Sequence, residues 1–173
     1  MITLKSKREI ELLKEAGHIV YLTHQYLRPH IKAGIKTIEL NQLAEDFIKS
    51  KGATPSFKGY EGFPYTLCIS VNDEIVHGFP SDRVLKDGDI ISIDIGACYK
   101  GYHGDSAWTY TVGNVSDDAK YLLEHTEKAL YEGIKQAKVG NRIGDIGYAI
   151  EKYATEHNLG VVKELVGHGV GTS

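Results

Sequence analysis

The stretch Ile90-Ile-Ser-Ile-Asp94-Ile-Gly-Ala-Cys-Tyr-Lys-Gly-Tyr-His-Gly-Asp105-Ser-Ala-Trp-Thr-Tyr-Thr-Val112 decides the fold, because two β-prone runs flank a turn-rich middle. Ile91, Ile93 and Ile95 alternate with Ser92, Asp94 and Gly96, which places Asp94 on the less apolar face of a strand. If Lys100-Gly101 is a two-residue hairpin turn, Asp105 lies opposite Gly96 and on the same face as Asp94, and a loop longer by an even number of residues keeps that parity. Two like charges brought together in this way repel unless a proton or a cation lies between them. A divalent metal is the natural occupant; a hairpin bearing two unrelated surface acids is the plainer alternative.

Outward from the hairpin the chain reads as α+β. Ser6-Lys-Arg-Glu9 fits a capping box, and Ile10, Leu13, Ala16, Val20 and Leu27 follow at helical spacing up to Pro29. After the break at Ala33-Gly34, Thr37 is expected to cap a second helix carrying Leu40, Leu43, Ala44, Phe47 and Ile48, closed by Gly52. Strands are expected between about Pro55 and Val112. Ser116-Asp117-Asp118 opens a third helix reaching Ile134, and a fourth runs from about Ile143 to Asn158. The apolar run Val161–Val166 reads as a further strand. The order helix, helix, strands, helix, helix hides a repeat. Aligning Gly34 with Gly140 also matches Glu39 to Asp145, Leu40 to Ile146 and Phe47 to Tyr153. The first copy continues into strands near Tyr65, so the second copy's strands are expected to begin near residue 171.

At 173 residues the chain is long enough for one domain with a real core. It is 42% hydrophobic and 25% charged, an ordinary balance for a soluble protein, and a net charge of −3 without a basic block argues against nucleic acid as a partner. No run approaches the length of a membrane span. Two cysteines, Cys68 and Cys98, with no leader-like N-terminus suggest a reduced, cytoplasmic setting.

Other residues carry possible chemistry. His168 stands among Gly167, Gly169 and Gly171, where backbone can approach a ligand closely; taken alone it reads more readily as a strand-end histidine in a tail. Two carboxylates and one imidazole suit a borderline-hard divalent ion. His77, before Gly78 and Pro80, is a catalytic hydrogen-bonding group or a polar turn residue. His103, in the hairpin turn, is a secondary candidate. His18, His24, His30, His125 and His157 are read as solvated or capping residues on helices.

Taken together, these segments resemble the bacterial type of methionine aminopeptidase. The resemblance is carried by Cys68-Ile-Ser-Val-Asn72-Asp-Glu, Val76-His-Gly-Phe-Pro80, Asp87-Gly-Asp, Asp94-Ile-Gly, Gly104-Asp105-Ser and the closing glycine-histidine run. It implies the pseudo-twofold pita-bread fold, here the first half plus the helices of the second half, without the second set of strands. Residues 1–173 would then be a single incomplete domain, 1–115 being the first pseudo-repeat and 116–173 the helical start of the second. It also implies removal of the initiator methionine from nascent proteins by a metal-activated water. Asp94 resembles a chelating ligand of one metal, Asp105 the ligand bridging two, and His168 the imidazole ligand. His77 resembles the histidine that contacts substrate near the scissile amide, and Tyr60, Phe63 and Cys68 fall where the family lines its methionine pocket. Phe63 stands where a tyrosine is often found. Two metals per complete site are implied, with cobalt, manganese, iron and zinc not distinguished. Two further glutamate ligands of the family fall beyond Ser173, so impaired activity and self-association through an exposed sheet edge are expected. A prolidase-like hydrolase, a non-enzymatic binding protein of the same fold and an inert half-domain are the alternatives.

Overall fold

A computed structural model describes residues 4–172. Helix α1 spans Lys7–Leu27, α2 Thr37–Ser50, α3 Asp117–Ile134 and α4 Ile143–Glu156. Strands β1 (Thr54–Pro55), β2 (Leu67–Val71), β3 (Ile90–Tyr99) and β4 (Tyr102–Thr111) form one antiparallel sheet. The chain divides into two compact units, one of residues 4–115 with 170–172, the other Ser116–Gly169.

In the first unit β3 is the central strand. β4 flanks it along its whole length, and β1 and β2 share its other side, Thr54 opposite Cys98 and Leu67 opposite Ile95. The hairpin turns at Lys100 (φ +49°) and Gly101 (φ +83°), the two left-handed positions a tight hairpin demands. Ile91, Ile93, Ile95 and Ala97 are fully buried and meet Ile19, Val20, Leu27, Leu40, Ala44 and Ile48 of α1 and α2. Both helices thus cover one face of the sheet. The capping box of α1 is present: Ser6 Oγ accepts from Glu9 N–H, and Glu9 accepts from Ser6 N–H.

Buried polar groups fasten α2 to the sheet. Asn41 Oδ1 accepts from the backbone N–H of Thr66 (2.9 Å) and of Leu67 (3.1 Å). Glu45 accepts from Lys49, Lys58 and Thr66, and these partners, Lys49 first, hold its carboxyl at about 2. The start of β2 is thereby set by a helix, one residue before Cys68.

The second unit is a helical hairpin. Gly133 lets α3 approach α4 closely, since a Cβ there would lie 2.8 Å from Ile150. At the opposite end, Tyr121 and His125 of α3 pack against Tyr153 and His157, with ring centroids 4.1–5.9 Å apart. An offset of 106 residues carries α2 onto α4 at both ends. It also matches Gly34 (φ +95°) to Gly140 (φ +94°), and the Glu39 bond to Lys36 N–H to the Asp145 bond to Arg142 N–H.

Four expectations are corrected. Thr37 does not cap α2: the cap position is Lys36, and Thr37 Oγ1 instead exchanges hydrogen bonds with Ser81. His103 lies in β4 opposite Cys98, because the turn takes only two residues. His24 is fully buried rather than solvated, since β4 brings Ser106 and Tyr110 to its ring. Val161–Val166 is not a strand; no strand among the described residues pairs with it.

Candidate metal and substrate site

The face of the sheet turned away from α1 and α2 carries the polar alternates of all three long strands. Cys68 of β2 pairs with Asp94 of β3, Asp94 with Ala107 of β4, and Gly96 with Asp105. That register is the one the hairpin spacing predicts. Asp94 is half-buried and Asp105 exposed. Their proximity registers on Cys68, whose thiol burial pushes up to about 12, helped by the negative charges of Asp94 and Asp105. Three strands therefore bring one thiol and two carboxylates to one patch.

One end of this face is covered by the segment after β1. Phe57 lies over Gly96, where a Cβ would come within 2.6 Å of its ring, so a side chain there would have to displace the covering segment. Ser56 N–H donates to Gly96 O, and Ser56 Oγ meets His103 Nδ1 at 2.8 Å. Gly171 O accepts from His103 N–H on the outer edge of β4.

Beside β2, Gly78 O accepts from Ile69 N–H and Gly78 N–H donates to Ser70 Oγ. This anchors the loop that carries His77, an exposed residue at φ +59°. A left-handed, non-glycine conformation held by hydrogen bonds on the following residue is the kind of local strain found at functional sites. Gly78 is required there, because a Cβ would sit 2.1 Å from Ile69 O.

Phe63 packs edge-on with Tyr65 and Phe79, with ring centroids 5.2–5.9 Å apart. Tyr65 and Phe79 escaped the sequence reading; their signal was only an aromatic residue on either side of β2. Tyr60 occupies a short 3-10 turn, Tyr60–Gly62, and is 70% exposed. His168 lies outside helix and strand in the unit Ser116–Gly169, exposed, with Nδ1 3.1 Å from Gly169 O. Among the described residues, no group of three or more His, Cys, Asp or Glu side chains is gathered closely enough to hold a metal ion. The pair of carboxylates on one accessible face nonetheless has the donor chemistry that hard and borderline divalent cations take.

Comparison with known proteins places this arrangement. Residues 11–173 match metallopeptidase family M24, and the chain belongs to that family. Within it the similarity is to methionine aminopeptidases. Methionine aminopeptidase 1 of Bacillus subtilis is 61% identical over 171 residues, covering 99% of this chain and 69% of that protein. The crystal structure of methionine aminopeptidase from Rickettsia prowazekii superposes with a TM-score of 0.98 at 38% identity, over 100% of this chain and 70% of that one. The prolidase from Pyrococcus furiosus superposes less closely, at a TM-score of 0.87 and 26% identity, over 98% of this chain and 49% of that one. The fold is accordingly α+β of the pita-bread type, its described strands all preceding α3.

Proposed function

We propose that the chain contributes to the hydrolytic removal of methionine from the N-terminus of nascent proteins, with Asp94, Asp105 and His168 as its metal ligands. The observation that carries this reading is the shared face of Asp94 and Asp105 across β3 and β4. A bound divalent ion supplies the Lewis acidity that activates water and polarises the scissile carbonyl. The chain's own residues do the rest. Asp94 and Asp105 present carboxylate oxygens to the cation from adjacent strands, which fixes their spacing. His77, in the loop that Gly78 ties to β2, donates a hydrogen bond to the substrate amide as charge develops on its oxygen. Phe63, Tyr60 and Cys68, joined by Tyr65 and Phe79, form an apolar, polarizable wall for the methionine thioether.

Residues 1–173 supply three of the five ligands that the family resemblance implies. We read 1–115 as one pseudo-repeat and 116–173 as the helical start of a second. The chain spans about 70% of the length of the relatives it matches. With three ligands, the 173 residues by themselves hold a divalent ion weakly and turn over slowly. The outer edge of β4 is the surface through which such a chain self-associates, and concentration-independent sedimentation as a monomer would refute that part. No described helix is long and apolar enough to cross a membrane.

The test is hydrolysis of a Met-Ala-Ser peptide by the 173-residue chain with manganese or cobalt supplied. A Xaa-Pro dipeptide serves as the prolidase control, and Asp105→Asn as the metal-site control. Methionine release that Asp105→Asn abolishes supports the reading. Cleavage of only the Xaa-Pro substrate, or turnover indifferent to Asp105→Asn, would overturn it.

A further inference from the structure

Both neighbours of Asp105 in β4 are fixed from behind by α1. At Gly104 the strand backbone meets the helix backbone directly: a Cβ there would lie 2.5–2.7 Å from Ala16 C, Gly17 N and Gly17 Cα. Main chain against main chain is an unyielding contact. At Ser106 the carbonyl oxygen lies 3.1 Å from His24 Nε2. A carbonyl only accepts, so Nε2 carries the hydrogen and Nδ1 the lone pair, which takes the Tyr110 hydroxyl at 2.9 Å. The ring is fully buried and stacks on Trp108 at 4.5 Å, with 7° between the planes.

His24 is thus held by two hydrogen bonds and a stacking partner, and turning the ring would forfeit both bonds. The mechanism proposed above uses none of these groups. Side chains alternate along a strand, so the residues that α1 grips at 104 and 106 leave Asp105 pointing to the opposite face. On its outer edge, β4 is held by the backbone bond between His103 and Gly171. Asp105 is therefore held by its pairing with β3 and by the helix behind it.

We infer that His24 is a positioning residue for the metal centre, clamping the Ser106 carbonyl so that the Asp105 carboxylate meets the cation in one geometry, with the Gly104–Gly17 contact as the second jaw. The inference rests on Asp105 being a metal ligand. Groups that orient a ligand, although they never touch the ion, govern affinity because a ligand free to wander loses binding entropy and angle.

The test measures Mn²⁺ affinity of the 173-residue chain by calorimetry and the visible absorption of its Co²⁺ form. His24→Phe keeps an aromatic ring on Trp108 but deletes both hydrogen bonds. His24→Gln restores a donor and an acceptor. Ile48→Ala, a core cavity on α2, is the control for lost stability alone. We expect His24→Phe to weaken Mn²⁺ binding about tenfold and to alter the Co²⁺ band intensities. His24→Gln should recover most of that loss, and Ile48→Ala should leave affinity unchanged. Should His24→Phe not fold, Tyr110→Phe, which removes one hydroxyl, is expected to weaken binding in the same direction by a smaller factor. Unchanged affinity in the folded His24 or Tyr110 variant, with binding lost in Asp105→Asn, overturns the clamp. Unchanged binding in Asp105→Asn would instead remove the metal-ligand reading beneath it.

Discussion

Cys68 and Asp94 face each other directly across β2 and β3, so that a thiol and a carboxylate share one patch of the sheet. The pairing matters because the two side chains want opposite surroundings. Cys68 is 7% exposed and packs as a small apolar residue, whereas Asp94 keeps access to solvent on its half-buried strand. The border between the proposed methionine wall and the proposed cation site runs between these two residues.

That border makes the two cysteines differ in reactivity. Burial, with the charges of Asp94 and Asp105, keeps the Cys68 thiol protonated, while Cys98 on the same face is only half-buried. Alkylation of the native chain with iodoacetamide, followed by mass spectrometry, is expected to label Cys98 first and Cys68 only after unfolding. Equal labelling under native conditions would show that the patch is open.

Asn41 is a single side chain that holds the entrance of β2. Asn41→Ala leaves the N–H groups of Thr66 and Leu67 without their acceptor. Leaving buried donors unpaired costs about 1–3 kcal/mol each, and denaturant unfolding should register a loss of that order. Asn41→Asp keeps the acceptor oxygen and is expected to lose less. A fully stable Asn41→Ala chain would mean that water takes over both bonds.

His24 makes the fold sensitive to acid. Burial lowers its pKa from 6.5 to about 4, so the folded chain keeps the ring neutral over a range in which the unfolded chain protonates it. The unfolded state then binds more protons, so stability is full above pH 6.5 and falls as the pH drops towards about 4. The loss across that window is about 3 kcal/mol. Unfolding free energies measured through the window should show this slope in the native chain and its absence in His24→Gln. The same slope in both would assign it to other groups.

Lys100 adopts φ +49° ahead of Gly101 at φ +83°, a conformation that asparagine tolerates better than lysine. Lys100→Asn is expected to raise stability by about 0.5 kcal/mol through a better-matched turn. Thermal unfolding measures it directly. A lowered midpoint would show that Lys100 Nζ, 5.0 Å over the Tyr99 ring, outweighs the backbone preference.

Much of this protein is determined locally, and that part was legible in the sequence. The alternation Ile91, Ile93, Ile95 against Ser92 and Asp94 has a period of two that a strand supports, and it put Asp94 and Asp105 on one face for a two-residue turn, the turn that the structure has. The capping box at Ser6 and the breaks at Gly34 and Gly140 are short-range hydrogen-bond and φ preferences, which a chain declares without any tertiary contact. What the tertiary structure alone decided depends on which surfaces come together. His24 looks on its helix like any other histidine, and only the arrival of Ser106, Trp108 and Tyr110 from β4 buries it. Thr37 reads as a cap until Ser81, distant in sequence, claims its hydroxyl. Val161–Val166 has the composition of a strand, but a strand is a pairing, and among the described residues it has no partner. Periodicity is a property of neighbours along the chain; burial and pairing belong to neighbours in space.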